Sequence, residues 1–177
     1  LLEMLRAGLY DEFFADLRSM LVPFLDPQTY GRSPLENSSF IVSSAHPDTS
    51  LHGAGFVARL SGATAEFLHM WTVMMAGERP FFLRDGALCL RFRPALPGWL
   101  FTDEGILTFT FLGHCRVTYH NPDRLDTWHT ACRAIRLVTG DGRPLAVDGE
   151  VIPMPLAGMV RSGQVGSIDI YLKGFPC

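Results

Sequence analysis

Leu1, Leu5, Leu9, Phe13, Leu17 and Leu21 recur at steps of four residues, and Met4, Phe14 and Met20 widen the stripe. Glu3, Arg6, Asp11, Glu12, Asp16 and Arg18 occupy most of the other positions. Apolar residues at this spacing share one face of a 3.6-residue helix, so the pattern predicts an amphipathic helix over residues 1 to about 22. Pro23 and the Asp26-Pro27 step are expected to end it, because proline lacks a donor and disfavours helix in the residue before it. From 25 to 60 no period is sustained beyond a short extended run at Phe40–Ser43. A connection of that length inside a compact domain is more often functional than idle.

Helical spacing returns over about 62 to 76. Ala63, Phe67, Met70, Trp71 and Met74 mark one face, while Ala65, Leu68, Val73 and Met75 make the other apolar too. A helix apolar nearly all round is expected to be buried on both sides, with His69 in a core or interface. Gly77 and Pro80 end it. From Phe81 onward the period falls to two: Leu88-Leu90-Phe92, Leu107-Phe109-Phe111, Cys115-Val117-Tyr119, Ile135-Leu137 and Ile168-Ile170-Leu172 alternate with polar neighbours. An Asp141-Gly142 turn signal leads to Leu145 and Val147. Short strands punctuated by turns predict an antiparallel β-sandwich. The expected organisation is α+β, with a helical segment over 1–80 and a sandwich over 81–177.

Composition narrows the function classes. The 177 residues are 47% hydrophobic and 19% charged, enough apolar material to build a core. A formal charge of -3 supplies no basic footprint for nucleic acid and no polybasic patch for a membrane surface. No apolar run reaches the roughly 18–20 residues of a membrane span. Cys89, Cys115, Cys132 and Cys177 lack the short paired spacing of a zinc knuckle or a small disulfide framework. Reduced thiols in strands, and so a cytoplasmic location, are expected. Leu1 is not an initiator Met and a helix is already running there, which suggests a piece of a longer chain.

The chemistry concentrates between Tyr30 and Trp71. There a polar, Gly/Ser/His-dotted stretch meets a Ser61-Gly62 step and an apolar helix begins at once. A helix start leaves about four N–H groups unpaired and carries roughly half a positive charge, which favours an anion. Ser61 and Gly62 are therefore a candidate phosphate cradle, with Thr64 able to join; a plain helix cap is the alternative. Glu36 and Asn37, followed by Ser38 and Ser39, offer carboxylate, amide and hydroxyl groups to a sugar, or else satisfy their own loop. His46 and His52 flank the 47–51 turn as further sugar or phosphate partners, or else as plain solvated loop histidines, and they lack the third ligand a metal requires. His114 and His120 are expected to share a strand face, with Cys115 on the other. No acid is placed for glycosidic chemistry, and no nucleophile elbow occurs.

The runs LENSSFIVSSAHPD and LHGAGFVARLSGATAEFLHMW, together with LCLRFRPALPGW at 88–99, resemble the C-terminal part of the cellobiose-phosphorylase-like inverting glycoside phosphorylases. Within that group they are most similar to the β-1,3-oligoglucan phosphorylase branches. The resemblance implies the last helices of an (α/α)6 barrel followed by an antiparallel β-sandwich. It aligns Ser61-Gly62 with the family's Thr-Gly or Ser-Gly pair that holds inorganic phosphate. It also aligns Glu36 with the segment near the transferred sugar, although Asn37-Ser38 stands where the family has Pro-Tyr. Ser43 and Ser44 align with a polar position beside that sugar.

The implied parent reaction is phosphorolysis of β-linked gluco-oligosaccharides to α-glucose 1-phosphate, with inorganic phosphate as co-substrate and no cofactor. The family's catalytic Asp has no counterpart here, so the chain alone is expected to be inactive. It is also expected to cover its open helix faces by self-association or by the rest of the parent chain. A stand-alone carbohydrate-binding or interaction module, or the tail of a glycoside hydrolase, are the alternative readings.

Overall fold

The computed structural model describes residues 1–20, 26–31, 38–58 and 62–174, which form a mixed α+β fold. They fall into two compact units, Leu1–Trp71 and Thr72–Cys177, with the division inside one helix.

The first unit opens with two helices, α1 (Leu2–Ala7) and α2 (Tyr10–Met20), in place of the single predicted one. Gly8 makes the break: it takes a left-handed conformation (φ 75°) and its N–H caps the Leu5 carbonyl. Such a backbone suits glycine, which carries no Cβ to clash. The break also turns Leu9 to solvent, while Leu5, Phe13, Phe14 and Leu17 are buried. The end of α2 predicted at Pro23 lies outside the described residues. Asp26-Pro27 starts a helix, α3 (Pro27–Tyr30), with proline in its first turn and the Asp26 carboxylate accepting the Thr29 N–H at 3.1 Å. A hairpin follows, β1 (Ser38–Ile41) against β2 (Gly55–Ala58), so the predicted extended run begins two residues earlier.

Helix α4 (Gly62–Ala76) matches its predicted span. Met70 and the run Val73–Ala76 are buried, but Leu68 is 61% exposed, Trp71 is 46% exposed and His69 faces solvent. The expectation of burial on both sides is thereby corrected. Hydrophobic periodicity tells which positions are apolar, not whether a partner stands against each of them.

In the second unit every carbonyl in the last turn of α4 is taken up. Val73 accepts from Gly77 N, Met74 from Ala95 N, Met75 from the Tyr119 hydroxyl and Ala76 from Arg93 N, at 2.6–3.1 Å. Helix ends leave such groups unpaired, and one buried without a partner is costly. The segment 92–96 that supplies two of these donors is itself clasped by Thr127. The Thr127 hydroxyl donates to the Pro94 carbonyl at 2.7 Å and accepts the Leu96 N–H at 2.9 Å.

The strands are β3 (Phe81–Arg84), β4 (Ala87–Leu90), β5 (Ile106–Phe111), β6 (Cys115–His120), β7 (Thr130–Thr139), β8 (Pro144–Asp148) and β9 (Val165–Gly174). β3 and β4 form a hairpin; the rest make a five-stranded sheet ordered β5-β6-β9-β7-β8. The Asp141-Gly142 turn joins β7 to β8, as its residues predict. β6 and β9 run parallel, so the expected all-antiparallel sandwich is replaced among the described residues by one mixed sheet and a separate hairpin. The cause is a short helix, α5 (Leu156–Arg161), that carries the chain from β8 back to a slot between β6 and β7. Period-two alternation fixes which side chain faces which way and says nothing of strand direction. One face of the sheet is core, with Val117, Tyr119, Ile135, Leu137, Ile168 and Ile170 buried. Among the described residues no helix is long and apolar enough to cross a membrane.

Candidate phosphate and sugar site

The site is built outward from Tyr30. Its ring is buried at the end of α3, and its hydroxyl accepts the Ser38 N–H at 2.8 Å, which anchors the start of β1. β2 returns with Ile41 opposite Gly55 and Phe40 opposite Phe56. Gly55 is required there, because a Cβ would collide with the Tyr30 ring and the Ser38 hydroxyl. The Ser38 hydroxyl is buried and finds no hydrogen-bond partner among the described residues.

Between the strands, residues 42–54 close into a loop through Val42 N to Ala54 O at 3.0 Å and Gly53 N to Val42 O at 2.9 Å. Its polar side chains are largely spent on the loop itself. Ser43 Oγ accepts the Ala45 N–H at 3.2 Å. Asp48 accepts from the Ser50 hydroxyl at 2.7 Å and from its N–H at 3.0 Å, bonds that hold the carboxyl below its ordinary value. His46 Nδ1 accepts the Asp48 N–H at 3.1 Å, and His52 Nε2 donates to the His46 carbonyl at 2.8 Å. The exposed Ser43 and Ser44 and the half-buried His52 thus share one preorganised loop. Of the helix-start pair, Gly62 is the first residue of α4. Ser61, Glu36 and Asn37 lie outside the described residues, as does the side chain of Thr64.

The other histidines are placed apart from this loop. His114 sits in the β5–β6 turn, with Nδ1 2.8 Å from the Leu112 carbonyl and Nε2 3.2 Å from the Val160 carbonyl. The expectation that it shares a strand face with His120 is corrected by the turn. His120 lies on β6, with Nε2 2.8 Å from an Asp169 carboxylate oxygen on β9. Cys89, Cys115 and Cys132 are free thiols. Desolvation raises Cys115 and Cys132 to about 11, which makes both poor nucleophiles near neutrality.

Neither a protein-family model nor a curated protein matches this chain.

Two features escaped the sequence reading. The Asp-Pro-Gln-Thr run at 26–29 has the signature of a helix start, an Asp cap followed by proline, at a step expected only to end a helix. The anchoring role of Tyr30 left no local signal, since its partner Ser38 is set by the path of the chain between them.

Proposed function

We propose that this chain is a C-terminal part of an inverting glycoside phosphorylase that cleaves β-linked gluco-oligosaccharides with inorganic phosphate. The observation that carries the reading is the run from Tyr30 to Trp71, whose residues resemble that family around its phosphate and sugar contacts. Two further features support it. α4 opens at Gly62, so free backbone N–H groups belong where the resemblance puts phosphate. The unpartnered Ser38 hydroxyl belongs to the segment aligned beside the transferred sugar.

In this reading residues 1–80 supply terminal helices of an (α/α)6 barrel, and residues 81–177 supply the β-domain. Phosphate held at Ser61 and Gly62 attacks the anomeric carbon from the face opposite the scissile oxygen. The C1–oxygen bond to the leaving sugar breaks as the C1–O–P bond forms, which inverts the centre and yields α-glucose 1-phosphate. A carboxylic acid elsewhere in the parent protonates the departing oxygen; this chain contributes no catalytic acid. Glu36, Asn37, Ser43, Ser44 and His52 line the sugar side. The aliphatic and aromatic surface at Leu68, Trp71, Phe40 and Phe56 is covered by the rest of the parent or by a second copy. Free thiols in β4, β6 and β7 fit a cytoplasmic enzyme.

The test is glucose 1-phosphate release from laminari-oligosaccharides by the protein of the continuous reading frame that contains this chain. Phosphate-dependent release is expected, and the 177-residue piece alone should release none. Phosphate-independent hydrolysis would make the parent a hydrolase, and a stop codon immediately upstream would leave a binding module.

A further inference from the structure

The two edges of the five-stranded sheet are finished differently. β8 begins at Pro144 and ends at Asp148, and proline and charge both guard a strand edge against recruiting another chain. β5, at the other edge, reads Ile-Leu-Thr-Phe-Thr-Phe, with no charge, proline or glycine. Such a run has high strand preference and nothing to repel a partner.

Its hydrogen bonds fix how much of that edge is open. In an antiparallel pair, successive residues turn their main-chain groups alternately toward and away from the partner strand. Ile106 turns its groups away from β6: its N–H donates to the Thr102 hydroxyl at 3.2 Å, and its carbonyl accepts the Thr102 N–H at 3.0 Å. Thr108 and Thr110 share that outward direction. Among the described residues nothing bonds the main-chain N–H or carbonyl of either one. Each therefore has an unspent donor and acceptor, while Thr102 closes the edge at 106. A strand added here is confined to 107–111, with Phe109 at its centre.

We infer that β5 pairs antiparallel with β5 of a second copy, about a two-fold axis at Phe109, and joins two sheets into one. Under that axis Thr108 lies opposite Thr110 of the other copy, and the two exchange both of their open main-chain hydrogen bonds. Phe109 lies opposite its own counterpart, at the position type where facing side chains stand closest. Leu107 meets Phe111. Leu107 and Phe109, only half-buried in one chain, become covered. The outer face stays polar across the junction, because Arg116 and Thr118 flank Thr110 and Thr108 on β6. The two Arg116 side chains fall in different rows and do not oppose each other. A foreign strand would satisfy the main-chain groups equally; the match of like with like at each side chain selects a second copy. An isologous contact closes on itself, so the product is a dimer and not a fibre. The inference is independent of the reading of the parent as a phosphorylase.

The β1–β2 hairpin exposes a separate apolar surface at Phe40 and Phe56, so the test is run on the 177-residue chain carrying Phe40→Ser and Phe56→Ser. Sedimentation equilibrium should give twice the 19.7 kDa of one chain and nothing larger. Adding Thr108→Lys with Thr110→Lys sets like charges opposite each other in both threonine pairs and should weaken the dimer at least about tenfold. Thr108→Glu with Thr110→Glu in a separate chain should do the same, and an equimolar mixture of the two should restore the dimer. Both threonines are exposed, so the circular dichroism of each variant should match that of its parent. Hydrogen exchange on the parent supplies a readout that needs no charged variant: the Thr108 and Thr110 amides should exchange slowly in the dimer and fast on dilution. A parent that sediments as a monomer, fast exchange of both amides at high concentration, a Lys variant of undiminished mass, or folded Lys and Glu variants that stay monomeric when mixed overturns the assignment.

Discussion

The Tyr119 hydroxyl donates to the Met75 carbonyl at 2.6 Å, so a buried side chain near the end of β6 completes the last turn of α4. The bond is the single side-chain member of the set that satisfies the end of that helix; the other three are main-chain amides. Tyr119→Phe keeps the ring packed against Phe92 and Phe109 but strands a buried carbonyl. A loss of about 1–3 kcal/mol is expected, read as a lower urea midpoint with an unchanged slope.

Alkaline pH should destabilise the second unit. Burial raises Cys115 and Cys132 from 9.0 to about 11 and pushes Tyr119 well above 10.0. These groups keep their protons in the folded state at a pH where the unfolded chain has lost them. Their contribution is complete below pH 9.0 and declines as pH rises toward 11 and beyond. Urea midpoints should hold steady between neutrality and pH 9.0, then fall. A midpoint that climbs over the same range contradicts the assigned burial. Thiol alkylation at pH 8 should likewise be slow at Cys115 in native protein and fast in urea.

Gly98 admits no side chain. A Cβ there would run into the Arg124 carbonyl, while the Gly98 N–H donates to Asp126 Oδ1 at 2.7 Å. The Arg124 carbonyl is main chain in the turn that leads to Thr127, so it cannot swing aside as a side chain could. Gly98→Ala is expected to cost about 1–3 kcal/mol or more, visible as a lower melting temperature. Gly86→Ala offers a contrast. Nothing lies within 4 Å of the added methyl, and its cost comes from the left-handed backbone alone (φ 76°).

The hairpin at 38–58 should mediate self-association of the isolated chain. Phe40 and Phe56 form a cross-strand pair and both are substantially exposed, as are Ile41 and Val57 on the other face. Two-stranded hairpins are marginal alone, and exposed apolar strands invite pairing. Light scattering should show mass rising with concentration, and Phe40→Ser with Phe56→Ser should suppress the rise. A monodisperse monomer at high concentration would count against it.

Much of the second unit was legible because its strands alternate cleanly. Cys115, Val117 and Tyr119 are buried where Arg116, Thr118 and His120 are not, and Asp141-Gly142 turns where it should. The candidate site was less legible. Ser61-Gly62 and Glu36-Asn37 stand out as residue types, but the loop between them spends Ser43, Asp48 and His52 on its own backbone and side chains. Hydrogen bonds of that kind depend on loop conformation, to which no simple period corresponds.

By itself the chain's pattern determined where helix gives way to strand, which residues of β6, β7 and β9 face the core, and that α4 spans 62–76. Those are local properties, set by side-chain spacing against helical and strand geometry. Tertiary structure alone decided that Gly8 divides the first helix, that β9 slots between β6 and β7 in parallel with one of them, and that His120, Asp169, Tyr171 and Arg136 meet on an open face. Each of these joins residues far apart in sequence or chooses among backbone states of similar local energy, so the choice falls to packing and hydrogen bonding across the folded chain.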